Sequence, residues 1–107
     1  MDETLNQSED QPGCLERTLK IIGDKWSGLL IREMLNGPRR FSELQRALCG
    51  ISPRTLSQRL DSMEETGIVS KESFGEVPPR VEYTLTAKGH DLFPILRQMA
   101  DWGDKYR

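Results

Sequence analysis

The apolar residues of this chain recur at helical spacing along most of its length, but those in residues 68–85 alternate with polar ones. Within that stretch Val81, Tyr83 and Leu85 occupy every second position, as expected of a half-buried strand. Residues 75–79, GEVPP, interrupt the alternation with glycine and two prolines, which favour a turn. The pattern therefore predicts a mainly α (α+β) fold with four helices, a long-looped hairpin and a last helix.

The N-terminal part of the chain divides into a polar segment and two helices. Residues 1–13, MDETLNQSEDQPG, are acidic and have no apolar period, which is typical of a flexible arm. We therefore place the domain at residues 14–107. Its first helix starts at Cys14 and ends at Gly23, and its second is closed by Asn36-Gly37-Pro38.

Cap residues mark the third and fourth helices. The third follows a short extended link through the arginine pair, and Ser42 and Gln45 have the spacing of a capping box. Ser52 supplies an N-cap for the fourth helix, and Pro53 takes its first position, where a missing N–H costs nothing. We expect the fourth helix to reach about Gly67.

The last helix carries one broad apolar stripe. It begins near Thr86, and Pro94 is expected to bend it or to delay its start. A terminal helix on a small domain rarely buries so wide a face within one chain, so part of the stripe favours a partner. We expect Leu92 and Leu96 to lie partly in the core, and the residues toward the partner to be Met99, Trp102 and Tyr106.

Charge is distributed unevenly along the sequence. The whole chain has 15 basic and 17 acidic residues, a net charge of −2, which argues against a nucleic-acid partner. The charges up to Glu16 are all acidic. Between Gly37 and Leu60, however, five arginines accompany one glutamate, so this segment has a net charge of +4. The positive segment covers the third helix and the start of the fourth.

The order of four helices, a hairpin and a helix, with arginines in the middle, is that of a winged helix-turn-helix. In the fourth helix, Leu56, Leu60 and Met63 would face the core and turn Arg54 and Gln58 outward. Arginine can donate two hydrogen bonds to guanine and glutamine can bind adenine, so this face suits major-groove recognition. A merely solvated helix face is the alternative interpretation.

Candidate DNA contacts extend from this helix to the arginine pair and to the hairpin. Cations beside the hairpin tip could reach phosphates or a minor groove. For Arg40, a surface ion pair with Glu43 is an equally good interpretation. The full set of candidate DNA-binding residues is Arg39, Arg40, Ser52, Arg54, Thr55, Ser57, Gln58, Arg59, Lys71 and Arg80.

The cysteine and histidine content limits other chemistry. Cys14, Cys49 and His90 cannot supply the four ligands of a zinc site, so we expect no metal and no cofactor. Two cysteines are too few for a disulfide-stapled secreted scaffold, and no apolar run is long enough to span a membrane. We therefore expect a cytoplasmic protein without a membrane partner. The sequence has no phosphate loop, nucleophile elbow or paired-carboxylate motif, which argues against an enzyme.

Several motifs together give this sequence a specific family resemblance. They are an N-terminal Cys before a helix, GDKW at 23–26, RFSEL at 40–44, GIS at 50–52, TGIV at 66–69, VPPRVEYTLT at 77–86 and WG at 102–103. From Cys14 onward the chain resembles the HxlR-type family of bacterial winged-helix regulators, which are related to the MarR group. The resemblance implies a homodimer that binds double-stranded DNA sequence-specifically, at a pseudo-palindromic operator, through the fourth helix and the wing.

The resemblance also implies where two chains meet. Dimers of this family form through the first and last helices. The implied interface residues are Leu15, Leu19, Leu92, Ile95, Leu96, Met99, Trp102 and Tyr106.

The two cysteines are interpreted as a sensor. Cys14 begins the first helix, where unpaired N–H groups stabilise a negative charge, and Cys49 follows the third. Many HxlR-type proteins sense quinones, aldehydes, hypochlorite or disulfide stress with a cysteine at the position of Cys14. The resemblance thus implies sensing by Cys14, through S-thiolation, alkylation or a disulfide with the partner subunit, made to its Cys14 or its Cys49. A buried apolar role is the alternative for Cys49.

Two other functions are alternatives. A small-molecule ligand could bind at the dimer interface beside Trp26 or Trp102, with structural cysteines. A winged helix that binds only protein would fit the acidic total charge, and a steep salt dependence of DNA binding would exclude it.

Overall fold

The computed structural model describes residues 13–107, so the predicted acidic arm, apart from Gly13, lies outside the described residues. The elements are α1 Cys14–Ile22, α2 Ser27–Glu33, β1 Arg39–Arg40, α3 Phe41–Ala47, α4 Pro53–Glu65, β2 Val69–Phe74, β3 Arg80–Leu85 and α5 Ala87–Lys105. This order confirms the predicted winged helix-turn-helix. In it, α3 and α4 form the helix-turn-helix, and β2 and β3 form the wing.

The three strands form one antiparallel sheet in the order β1-β3-β2. As the alternating pattern predicts, β2 and β3 pair along their whole length, from Val69 opposite Leu85 to Phe74 opposite Arg80. The sequence predicts the pair Arg39-Arg40 only as an extended link. In the structure these two residues form strand β1, which pairs with β3. A two-residue strand has no periodicity to detect, because its hydrogen bonds come from a distant part of the chain.

The core lies between the helices and the sheet. Its centre is formed by side chains of α2, α3 and α4 that solvent does not reach. The predicted core face of α4 is confirmed, since Leu56, Leu60 and Met63 are all buried. The other buried hydrophobic residues are Ile22, Leu30, Ile31, Met34, Leu44, Leu48, Ile51, Ile68, Val69, Tyr83 and Leu85.

The start of α3 differs from the prediction. Ser42 lies inside the first turn and does not cap the helix, whose N-cap is Arg40. The backbone N–H of Arg40 donates to Oε1 of Glu43 at 2.8 Å, so Glu43 rather than Gln45 closes this end. Because β1 ends at Arg40, the chain passes from strand to helix without a link, and the cap lies two residues earlier than predicted.

The start of α5 is fixed by Thr86. Its Oγ1 accepts a hydrogen bond from the backbone N–H of Gly89 at 3.1 Å, and its hydroxyl donates to the carbonyl of Gly67 at 2.5 Å, next to the carbonyl of Ile68 at 3.1 Å. Gly89 packs so closely on that carbonyl that an added Cβ would lie 2.5 Å from its oxygen. Pro94 therefore lies inside α5, and the delay predicted from it does not occur, because the cap sets the first turn.

The turn between α1 and α2 is organised by Asp24. Its carboxylate accepts hydrogen bonds from the backbone N–H groups of Trp26 at 2.9 Å and Ser27 at 3.0 Å, and from the Ser27 hydroxyl. The guanidinium group of Arg59 in α4 lies 3.6 Å from the same carboxylate. Burial raises the pKa of Asp24, but the hydrogen bonds and the charge of Arg59 outweigh burial and hold the pKa below its ordinary value.

The lowered pKa of Asp24 makes the stability of the fold depend on pH. The ionised carboxylate stabilises the fold above the ordinary carboxyl pKa of about 3.9, and this contribution is lost as the pH falls through the lower folded-state pKa. We expect Asp24→Asn, which can still cap α2, to reduce the fall in the free energy of unfolding between about pH 5 and pH 2, measured by urea denaturation. An unchanged slope would show that Asp24 is not a source of this dependence.

Candidate DNA-binding surface

The fourth helix presents a donor-rich face opposite to the core. Arg54, Ser57 and Gln58 are exposed, whereas the apolar residues on the opposite side are buried. Their side chains can donate to, or accept from, base edges and phosphates. Because an α-helix fits the major groove of B-DNA, this face can contact base edges when α4 lies in the groove.

The N-terminus of α4 is held by Ser52 and Thr55. The Ser52 Oγ accepts from the backbone N–H of Thr55 at 3.0 Å, and the Ser52 hydroxyl donates to the Thr55 Oγ1 at 2.9 Å. Pro53 at the first helical position has no N–H to satisfy. The predicted N-cap is confirmed, and two of the predicted DNA contacts therefore have a role within the turn itself.

Arg59 lies apart from the exposed face of α4. It occupies the side of the helix between the buried and the exposed residues, and its guanidinium group pairs with Asp24 of the α1–α2 turn. It also borders a crevice between α1, α4 and α5 whose charged residues are Arg17, Lys20, Arg59, Glu65 and Lys88. The structure thus gives this predicted DNA contact a partner within the chain.

Arg39 and Arg40 form the edge strand that precedes α3. Nη1 of Arg39 donates to the carbonyl of Pro38 at 3.0 Å. The ion pair considered for Arg40 is not formed, because Glu43 accepts from its backbone N–H instead. Within residues 13–107 the Arg40 guanidinium has no ion-pair partner and is exposed, so it can bind an external anion.

The wing combines an exposed cation with one that is held in place. Lys71 is exposed on β2. Arg80, at the start of β3, lies 3.2 Å from Glu76 and 3.7 Å from Glu82, and its guanidinium is 4.2 Å from the centre of the Phe74 ring. These contacts fix the base of the wing tip and restrict the freedom of Arg80.

Large apolar side chains are exposed on α1, and along α5 from its middle to its C-cap residue, and we call this set the apolar face. Solvent reaches 71% of Leu15, 68% of Trp102 and 61% of Tyr106. The apolar face consists of Leu15, Leu19, Ile95, Met99, Trp102 and Tyr106. Leu92 and Leu96 pack partly against the core instead. Exposed apolar groups in this number favour a partner surface.

A cavity of about 420 Å³ opens between α2 and α5. Its apolar wall includes Leu29, Phe93 and Met99. Neither Trp26 nor Trp102 belongs to the residues that line this cavity, and a ligand site beside them at the dimer interface stays a hypothesis.

Both cysteines are free, exposed thiols. Cys14 is the first residue of α1, and Nη2 of Arg17, one turn further along, donates to its Sγ at 3.3 Å. Cys49 lies two residues beyond the end of α3, in the turn before Ser52. Its exposure contradicts the alternative interpretation of Cys49 as a buried apolar group. Both thiols are accessible to a reagent or to another chain.

Residues 13–107 contain neither a cluster of metal-ligating side chains nor a membrane-spanning helix. No group of three His, Cys, Asp or Glu side chains in that range could hold a metal ion. No helix in the same range is both long and apolar enough to cross a bilayer.

The sequence profile of the HxlR-like helix-turn-helix proteins matches residues 21–107, which contain the helix-turn-helix, the wing and α5. The chain belongs to this HxlR-like family. It is a transcriptional regulator with a DNA-binding helix-turn-helix, as the sequence motifs predict.

Proteins similar to this chain are also transcriptional or redox regulators by name. An uncharacterized HTH-type transcriptional regulator of Bacillus subtilis, YdeP, is 42% identical over 101 residues, which cover 94% of this chain and 79% of that protein. The oxidized form of the redox regulator HypR has a TM-score of 0.80 at 44% identity, covering 87% of this chain and 96% of the other. The reduced form of the transcriptional regulator YodB from B. subtilis has a TM-score of 0.80 at 33% identity, and the match covers 90% of this chain and 94% of that one. Redox regulation is therefore a described function of a structural neighbour.

Sequence reasoning about this HxlR-like chain missed two residues. Asp24 belongs to the GDKW motif, but neither the motif nor the apolar periodicity assigns it a structural or functional role. Its signal is its spacing, because a carboxylate two and three residues before the first N–H groups of a helix is placed to cap them. Val77 at the wing tip is 99% exposed, and its only signal is an apolar residue before two prolines.

Substitution of Ser52 in the absence of DNA measures its contribution to stability as the cap of α4, apart from any contact with DNA. We expect Ser52→Ala to lower the free energy of unfolding by about 1 kcal/mol, because the N–H of Thr55 loses its acceptor. Ser57→Ala, on the exposed face of the same helix, should change it by less than about 0.5 kcal/mol. Urea denaturation measures both variants, and equal stabilities would mean that Ser52 does not cap α4.

Proposed function

We propose that this chain is a cytoplasmic, homodimeric regulator that binds a pseudo-palindromic operator and senses oxidative or electrophile stress through Cys14. The observation that carries the proposal is α4, whose capped N-terminal half exposes Arg54, Ser57 and Gln58 on a domain of the HxlR-like family. These residue types suit sequence-specific binding in the major groove.

In this proposal three groups of residues contribute to DNA binding, one by contacts with bases, one by contacts with phosphates and one by support of the protein structure. The exposed face of α4 contacts base edges. Arg39, Arg40 and Lys71 bind phosphates, since they carry positive charge on the two outer strands of the sheet, β1 and β2. Ser52 and Thr55 hold the start of α4, and Arg80 holds the wing.

Salt dependence of DNA binding tests this division. The probes are a fluorescent duplex from the DNA upstream of the chain's own gene and a scrambled duplex, and anisotropy gives the affinity. We expect Arg54→Ala to weaken binding to the upstream duplex by about tenfold and to leave binding to the scrambled duplex nearly unchanged. Lys71→Ala should weaken both and reduce the salt slope by about 0.9, because one phosphate contact is lost.

The matched control is Lys105→Ala, which removes a positive charge from the end of α5 and should leave both affinities unchanged. Binding of the parent protein that does not depend on salt, or no binding at all, would contradict the proposal. That result would favour a winged helix that binds protein only.

The apolar face supports the homodimer. Its residues lie on the first and the last helix, and a two-fold dimer would cover each copy of the face with the other. Two α4 helices related by such an axis can bind half-sites about one DNA turn, roughly 34 Å, apart.

The redox proposal is supported by the two exposed thiols and by the described function of HypR. The Cys14 thiolate attacks the O–O bond of a peroxide, becomes a sulfenic acid and releases the reduced oxidant as an alkoxide, which takes up a proton. The thiolate of the partner subunit's Cys49 then attacks Sγ of Cys14, and the S–S bond forms as hydroxide leaves and is protonated to water. This bond would join α1 of one chain to the α3–α4 turn of the other.

Such a link would change the distance between the two α4 helices. Since half-site spacing is fixed by the DNA helix, a displacement of a few ångström (~3 Å) can alter operator affinity.

A non-reducing gel of the reduced protein before and after mild diamide treatment tests the disulfide. We expect a reversible band at twice the monomer mass that is absent from Cys14→Ser and from Cys49→Ser, since each variant removes one of the two sulfur atoms. A band that survives in Cys49→Ser would mean that Cys14 pairs with Cys14 of the partner subunit. No band would contradict an intersubunit disulfide.

Sedimentation of the reduced protein is the control for the gel. The proposal requires a dimer at micromolar concentration before oxidation, and a monomer would contradict the assignment of the apolar face.

A second candidate is a regulator that responds to a small molecule and has structural cysteines. The cavity between α2 and α5 favours it, because α5 also carries much of the apolar face, so a ligand there could alter the dimer. The test is the double variant Cys14→Ser/Cys49→Ser. If stress still changes its binding to the operator as it does in the parent protein, the result favours this candidate.

A further inference from the structure

The ion pair between Asp24 and Arg59 joins the α1–α2 turn to the middle of α4. Oδ1 of Asp24 lies 3.6 Å from Nη1 of Arg59, and the two side chains are 26% and 31% exposed. Partly buried pairs are screened by salt much less than surface pairs. The contact therefore connects the helix pair before the helix-turn-helix to the helix that contacts DNA.

Asp24 is a fixed end of this connection. Its carboxylate is held by two backbone N–H groups and by the hydroxyl of Ser27, whose residue is only 1% exposed. A carboxylate with three donors in a partly buried turn cannot follow a moving guanidinium, so it determines where the guanidinium lies.

Arg59 is the movable end, because it belongs to α4. The same helix is held at its start by the Ser52 cap, and at its end by Lys88, whose Nζ donates to the carbonyl of Thr66 at 2.7 Å. These two contacts hold the ends of the helix. The pair with Asp24 acts on its middle, beside the turn that carries Gln58, and so restricts rotation of α4 about its own axis.

We infer that Asp24 and Arg59 are positioning residues that orient α4 for operator binding, and that Arg59 does not itself bind DNA. The inference rests on the proposed function, because it assigns to α4 the contacts with base edges. It separates Arg59 from Arg54 and Gln58, which share the helix and the polar character but face away from the core.

The alternative role for Arg59 is a direct phosphate contact. It predicts different effects on DNA binding when Arg59 or Asp24 is substituted. A phosphate contact would be lost in Arg59→Met, with weaker binding to any duplex and a smaller salt slope. Removing the negative charge of Asp24 would then leave Arg59 free for phosphate and would strengthen binding. A positioning pair instead requires both members, so removal of either should weaken operator binding alike.

Three variants and a control test the inference. Asp24→Asn keeps an oxygen that can cap α2 but removes the charge, and Arg59→Met keeps the apolar stem but removes the guanidinium group. The third variant combines both changes. The control Glu65→Gln removes a carboxylate from the crevice that Arg59 borders, without breaking the pair.

For each protein, anisotropy gives the affinity for the upstream duplex, the affinity for the scrambled duplex and the salt slope. We expect Asp24→Asn and Arg59→Met each to weaken binding to the upstream duplex by about tenfold, and the double variant to bind no more weakly than either. Binding to the scrambled duplex and the salt slope should stay as in the parent protein, since no phosphate contact is lost. A general loss of folded protein would weaken both duplexes equally and would overturn the inference.

Other outcomes are equally decisive. A smaller salt slope in Arg59→Met with tighter binding in Asp24→Asn would assign Arg59 to phosphate and overturn the inference. Variants that bind like the parent protein would also overturn it but would leave the proposed function intact. A parent protein without preference for the upstream duplex would instead contradict the proposed function, and the inference with it.

Discussion

Burial of one side of α4 is the interaction on which the rest of this molecule depends. Leu56, Leu60 and Met63 are the apolar side chains that hold the helix against the core, and their spacing leaves Arg54 and Gln58 in solvent. A rotation of the helix by one residue, about 100°, would expose part of that apolar stripe and bury charge, and both changes cost free energy. The direction of the proposed DNA-binding side chains is therefore a consequence of core packing, to which the ion pair between Asp24 and Arg59 adds a contact at the middle of the helix.

Elements that depend on local pattern were predictable from the sequence, and elements that depend on distant partners were not. The Ser52-Pro53 start of α4 and the β2–β3 hairpin follow from residues next to one another. Strand β1 exists because β3 lies beside it, and the α3 cap moved to Arg40 because β1 ends there. Strands β1 and β3 are far apart in the sequence, so no periodicity reveals their pairing, and the position of the local Arg40–Glu43 cap follows from where β1 ends.

The same limit applies to the candidate site. The sequence identified Arg40, Arg59 and Arg80 alike as candidate DNA contacts, but it could not assign a partner to each guanidinium group. In the structure Arg40 is exposed, Arg59 pairs with Asp24, and Arg80 pairs with two glutamates across the wing. Residues of one type and one charge thus have different tasks, and only the geometry of neighbouring carboxylates separates them.

Helix α1 connects Cys14, the proposed sensor, to the Asp24 turn, which contacts α4. Cys14 begins α1, and α1 ends at Ile22, so its nine residues form a rod of roughly 13 Å before the Asp24 turn. A disulfide that displaced the start of this rod would act, at its other end, on the carboxylate that holds Arg59. Ile22 of α1 is itself buried in the core, so α1 cannot shift without a change in the packing around α2. In such a dimer, oxidation would act on DNA affinity twice, through the distance between the two α4 helices and through the rotation of each.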